Sequence, residues 1–77
     1  MARIATITVS MKDKSFTDSF PIDDHVKEYE IADEAYRMGL IFADTQTIAR
    51  FGHRVSSSKF ADILRELDYT YEIKEVE

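Results

Sequence analysis

The sequence predicts a small α+β domain: a β-hairpin, then two or three helices, then a C-terminal strand, forming a three-stranded sheet with helices on one face. Two stretches near the N-terminus, 3–11 and 16–22, place apolar side chains at alternate positions, and 69–76 does so again near the C-terminus. Apolar residues at helical spacing fill the middle of the chain. Because consecutive strands pair and a last strand joins an open edge, we expect residues 1–77 to form one domain.

The first two strands predict a hairpin. Strict alternation with β-branched residues marks the first strand, whose inward residues are Ala5, Ile7, Val9 and Met11. The polar run KDKS at 12–15 turns the chain, and Phe16, Phe20 and Ile22 follow on one face. Asp18 interrupts that apolar face, and Pro21 has no N–H to donate. The second strand is therefore expected at a sheet edge, ending near residue 20.

The helical region divides at its glycines. Asp23 or Asp24 is expected to cap a helix of about four turns that Gly39 ends in the left-handed conformation. An apolar connector at 40–43 then leads to a short helix that Gly52 closes.

A serine run begins the last unit of the chain. One residue of Ser56, Ser57 and Ser58 is expected to cap a helix with Phe60, Ile63, Leu64 and Leu67 on its apolar side. The strand Tyr69 to Val76 completes the sheet, with Tyr69, Tyr71 and Ile73 directed at the core.

Length and composition limit the partners. The chain has 77 residues, no Cys and a net charge of −5. A core this small, without disulfides, is often completed by a second subunit, so we expect a homodimer formed by strand addition. The N-terminus lacks a signal-peptide pattern and no run is long enough to span a membrane, which predicts a cytoplasmic protein without a membrane partner.

Motifs for catalysis are missing from the sequence. It contains neither a Gly-rich phosphate loop nor a nucleophile elbow, a zinc-binding H-E-x-x-H helix or an EF-hand loop. His25 lies near Asp24 and Glu28, but acids at a helix N-terminus are explained by the helix dipole. We therefore expect no enzyme activity, no cofactor and no metal.

Residues 45–67, TQTIARFGHRVSSSKFADILREL, resemble a helix-turn-helix. Ala49, Gly52 and Val55 stand where that family has a small packing residue, a glycine in the turn and an apolar residue. Four basic residues against the single acid Asp62 give residues 45–65 a net charge of +3. The resemblance implies a DNA-binding transcriptional regulator as the alternative function, with the second helix in the major groove. Its nucleic-acid-binding residues would be Arg50, Arg54, Ser57, Ser58 and Lys59.

The preferred interpretation starts from the acidic residues on either side of that basic segment. They form two blocks, at 23–44 and 66–77, that could meet a basic protein surface. The predicted partner-binding residues are five acids and two aromatic anchors: Asp24, Glu28, Glu30, Asp33, Glu34, Tyr29 and Tyr36. In size and composition the chain resembles phage-encoded inhibitors, some of which cover nucleic-acid-binding surfaces. We expect an acidic, non-enzymatic protein-binding module, an inhibitor or regulator.

Overall fold

The fold is an antiparallel three-stranded sheet with two helices. The computed structural model describes residues 2–12 and 14–76. In chain order its elements are β1 (Ala2–Met11), β2 (Lys14–Ile22), α1 (Glu28–Phe51), α2 (Ser57–Leu64) and β3 (Leu67–Val76). The strand order β2-β1-β3 places β1 in the centre and both later strands at edges. The predicted α+β class and three-stranded sheet are confirmed, with two helices where two or three were expected.

The hairpin forms as the alternation predicts. Val9 lies opposite Phe16 in β2 and opposite Tyr69 in β3. Met11 pairs with Lys14, so the connection is shorter than the predicted turn at 12–15, and Lys12 takes a positive φ of 54°. Asp13 of that turn lies outside the described residues. β2 also continues through Pro21 to Ile22, since an edge strand can place the missing N–H away from its neighbour.

One face of the sheet carries the core. The inward side chains of β1 are fully buried, and Ile31 and Ala35 of α1 pack on them. The opposite face is polar and uncovered by helix. There the hydroxyl oxygens of Thr6 and Ser19 are hydrogen-bonded at 2.9 Å, and a similar threonine pair links Thr8 to its β2 partner at 3.1 Å. The sheet is therefore packed on one side only.

The largest difference from the sequence prediction is that α1 is one helix of 24 residues. Gly39, expected to end a helix, is buried inside it, and a Cβ there would lie 3.0 Å from Leu67 Cδ2. Its φ is not positive, whereas Gly52 has a φ of 80° and ends the helix as predicted. Ala35, Gly39 and Ala43 recur every four residues and bring the helix close to the sheet. Close packing therefore outweighs the low helix propensity of glycine.

The two helix starts differ in how well they were predicted. Asp23 Oδ1 accepts a hydrogen bond from the His25 N–H at 2.8 Å and forms a turn, so neither it nor Asp24 caps α1. The helix begins after Lys27, whose N–H donates to Glu30 Oε2 at 2.7 Å. In α2, Ser56 Oγ accepts from the Lys59 N–H at 3.3 Å, which confirms a cap from the serine run. Within the described residues, neither helix is long and apolar enough to span a membrane.

Candidate protein-binding surface

The predicted acidic residues lie on two sides of α1. Glu28 and Tyr36 are on the side next to β3, where they contact Tyr71 and Tyr69. Tyr29 lies on the outer side of the helix, where it borders a shallow concavity with Asp33. Glu30 and Glu34 lie on the other side, toward β2. The predicted residues of α1 therefore extend around its outer surface from the β3 side to the β2 side.

Three tyrosines and Glu28 meet between α1 and β3, and Tyr29 lies on the adjoining outer side of α1. We call this group (Glu28, Tyr29, Tyr36, Tyr69 and Tyr71) the tyrosine face. The rings of Tyr36 and Tyr69 pack edge to face with centroids 5.9 Å apart. The Tyr71 hydroxyl donates to Glu28 Oε1 at 3.3 Å. The tyrosines nevertheless remain open to solvent: Tyr29 is 67% exposed and Tyr36 51%.

The charge of Glu28 acts on its neighbour. It raises the pKa of the Tyr71 hydroxyl above its ordinary value, and desolvation and the hydrogen bond add in the same direction. A tyrosine hydroxyl is protonated at neutral pH even at its ordinary pKa, so Tyr71 can donate to Glu28 there. Glu28 keeps its carboxylate at the border of an aromatic surface, an arrangement that can meet a cation and an apolar group together.

The remaining predicted acids have different surroundings. Asp24 lies 4.0 Å from Arg3 Nε, and the same guanidinium donates to the carbonyl oxygens of Asp23 and Val26. Arg3 thereby holds the segment before α1 against the sheet. Asp33 is exposed on the outer side of the helix, beside Tyr29. Of these two acids, Asp33 therefore adds negative charge next to the tyrosine face, whereas Asp24 is close to the Arg3 guanidinium.

On the opposite side of α1, a groove separates the helix from β2. Its floor includes Phe20 and Ile22 of β2 and Met38 of α1, in a concavity of about 470 Å³. Asp18 and Glu34 are among the groups at its border. Sequence alternation identified Asp18 as an anomaly on an apolar face, and that anomaly was the signal for this groove.

The residues of the predicted helix-turn-helix are largely engaged within the chain. Arg50 Nη1 lies 3.3 Å from Glu66 Oε2, and Arg54 Nη2 lies 3.6 Å from Asp44 Oδ2. The Lys59 ammonium sits over a phenylalanine ring, 4.2 Å from its centroid.

The helix pairing also differs from that family's pattern. Ala49, expected to pack on the second helix, is exposed, and the buried residues near α2 are Ala43 and Thr47. Ser57 and Ser58 are exposed in the first turn of α2, a helix of eight residues. The first helix of the pair is the end of the long α1. The resemblance therefore holds for the order of elements and fails at the packing residue.

Glu66 joins three parts of the chain. Lys12 Nζ, at the hairpin turn, lies 3.0 Å from Glu66 Oε1, and Arg50 reaches the other oxygen. The hydrogen bond from Lys12 lowers the pKa of Glu66 below its ordinary value, and Arg50 adds to the effect against an opposing desolvation. Sequence reasoning assigned Glu66 to an acidic surface, but its carboxylate is used inside the molecule.

No described cluster of side chains supplies a metal site: in residues 2–12 and 14–76, no three of His, Asp or Glu converge. The chain matches no protein-family model, and comparisons with curated proteins and with solved structures give no significant match.

Proposed function

We propose that this chain is a non-enzymatic protein-binding module, an inhibitor or regulator of the phage type, whose tyrosine face covers a basic, nucleic-acid-binding surface of a partner. The observation that supports it is the exposure of Tyr29 and Tyr36 beside the carboxylates of Glu28 and Asp33. Large aromatic side chains supply binding energy at the centre of interfaces, and acids steer a basic partner toward them.

The test uses immobilised chain and a lysate of the host cell, with two variants of equal charge change. Glu28→Gln/Asp33→Asn removes two charges next to the tyrosines, and Glu72→Gln/Glu75→Gln removes two from β3. We expect the wild type and the β3 variant to retain one basic protein at low salt and the first variant to lose it. Equal retention by both variants would refute the assignment to the tyrosine face.

A second measurement addresses the nature of the covered surface. The captured protein is incubated with its nucleic acid, and the chain is added at increasing concentration. We expect the nucleic acid to be released, because both ligands would occupy the same basic surface. A ternary complex would show that the partner is bound elsewhere and would remove the inhibitor part of the proposal.

Direct nucleic-acid binding by Arg50, Arg54, Ser57, Ser58 and Lys59 is the weaker proposal. The two arginines are ion-paired with Glu66 and Asp44, and the acidic remainder of the chain repels phosphates. A gel-shift experiment at low salt separates the two ideas. We expect no retardation of duplex DNA, and salt-dependent retardation lost on Lys59→Gln would favour the regulator instead.

We also propose a homodimer through β3. Both edge strands leave backbone groups on their outer sides, but β2 carries two features that oppose strand addition: Asp18 points inward and Pro21 lacks an N–H. That leaves β3, a strand of ten residues. Light scattering across micromolar concentrations should give twice the chain mass. Glu75→Pro removes a β3 N–H that faces away from β1 and therefore tests the edge. A concentration-independent monomer would contradict this proposal.

A further inference from the structure

The helices cover β2 less than the other two strands. α1 packs over β1 and β3, and β2 has no comparable cover. A helix is about 10 Å across and strands are about 4.8 Å apart, so one helix covers about two strands. The inward side of β2 consequently stays partly open: Phe20 and Ile22 are half-buried against the core, whereas Phe16 is 51% exposed.

This strand, β2, and α1 together form an apolar groove, which we call the α1–β2 groove. The concavity of about 470 Å³ at the Ile22 end continues into a second of about 330 Å³ at the Phe16 end. Met38 lines both, so they run end to end along the helix. Ile41 of α1 borders the second part and is 60% exposed.

Negative charge is placed within this apolar groove. Asp18 lies between Phe16 and Phe20 on the same face of β2, and Glu30 and Glu34 line the helix side. No ion pair or hydrogen bond reaches the Asp18 carboxylate from the side chains of residues 2–12 and 14–76. A ligand that fills the groove would cover this carboxylate and must then neutralise it.

We propose that the α1–β2 groove binds an amphipathic helix of a partner protein whose apolar face carries one Lys or Arg opposite Asp18. Such a helix would complete the second layer of the fold by covering β2 beside α1. The stretch of β2 from Phe16 to Ile22 is about 20 Å long, which corresponds to about 13 residues of helix.

A second copy of the chain fits the groove less well. An antiparallel pairing of two β2 strands about their middle would bring two Asp18 side chains together, and like charges opposite each other are destabilising. The groove lies on the β2 side of α1, whereas the contacts of Tyr36 with Tyr69 and of Glu28 with Tyr71 lie on the β3 side. This docking site can therefore be tested separately from the surface proposed above.

The experiment measures fluorescence anisotropy with labelled helical peptides of about 14 residues. Each peptide has leucines at helical spacing on one face and a central Lys, Met or Glu on that face. We expect the wild-type chain to bind the Lys peptide about tenfold more tightly than the Glu peptide. Asp18→Lys should reverse this order. Glu72→Lys, an equal charge change on the polar face of the sheet, should leave it unchanged.

Binding must also be located in the groove. Phe16 and Ile41 are exposed, so Phe16→Thr and Ile41→Thr keep the core intact. Both substitutions should weaken binding of the Lys peptide several-fold, whereas Val76→Thr should not. Circular dichroism checks that each variant is folded. The proposal is overturned if the wild type binds no peptide, if Asp18→Lys does not change the peptide order, or if Phe16→Thr dissociates a dimer. Loss of partner capture by Glu28→Gln/Asp33→Asn tests the tyrosine face separately.

Discussion

Replacing Gly39 by Ala tests whether the continuous helix and its close approach to β3 are correct. In a helix interior, Ala is favoured over Gly by about 1 kcal/mol. The new Cβ would lie 3.0 Å from Leu67 Cδ2, inside the optimum of about 3.5–4.0 Å for two carbon atoms. The other near atoms of Leu67 lie at 3.7 Å, which is ordinary contact. The conflict therefore involves one methyl group of a half-buried side chain.

The expected size follows from these two effects. Leu67 must leave its rotamer well to make room, at about 0.5–1.5 kcal/mol. The helix gain and this cost nearly cancel, so Gly39→Ala should change the free energy of unfolding by less than about 0.5 kcal/mol in the wild-type background. With Leu67→Ala already present the conflict is gone, and the full gain of about 1 kcal/mol should appear.

The assay is urea unfolding monitored by circular dichroism. It compares the wild type, Gly39→Ala, Leu67→Ala and the double variant. We expect a coupling free energy of about 1 kcal/mol between the two positions. Additivity would show that Gly39 does not touch Leu67. Destabilisation by more than about 2 kcal/mol in both backgrounds would indicate a left-handed Gly39, and hence the broken helix that the sequence suggested.

Three further predictions concern the ends of α1 and α2 and the Glu66 network. Gly52→Ala should destabilise the fold by about 1–2 kcal/mol in urea unfolding, since φ is 80°, and equal stability would refute the left-handed cap. Ser56→Ala should cost about 1 kcal/mol by loss of the cap to α2, whereas Ser57→Ala should cost much less. The folded state lowers the pKa of Glu66 below its ordinary value of 4.5. The contribution of Glu66 to the free energy of unfolding is therefore present above pH 4.5 and is lost as the pH falls through the folded pKa. Lys12→Met should reduce this dependence of the free energy of unfolding on acidic pH. An unchanged pH dependence would contradict a stabilising contact between Lys12 and Glu66.

Local patterns were sufficient for the strands. In β1, alternation placed Ala5, Ile7 and Val9 on the buried face, and the structure buries all three. A strand has a period of two residues, so a one-residue shift would turn the whole apolar set to solvent. The serine cap of α2 and the left-handed Gly52 were predicted for the same reason, because each is decided by the backbone groups nearest to it.

The long helix could not be predicted in this way. Gly39 has the same local signature whether it ends a helix or packs against a neighbouring element. Only the sheet, which brings Leu67 next to it, distinguishes the two cases. The start of α1 was misplaced by three or four residues for a similar reason, because Arg3, in the neighbouring strand β1, holds the preceding carbonyl groups of Asp23 and Val26.

For the candidate surfaces too, the sequence determined the residue types and the tertiary structure determined where they lie. The sequence by itself determined that the chain is acidic, that Tyr29 and Tyr36 accompany the acids, and that Asp18 is out of place on an apolar strand face. The tertiary structure decided that α1 covers β1 and β3 and leaves β2 partly open. It thereby placed Glu28 against the tyrosines of β3, and Glu30 and Glu34 along the groove beside β2. The physical reason is width: one helix covers about two strands, and the sheet has three.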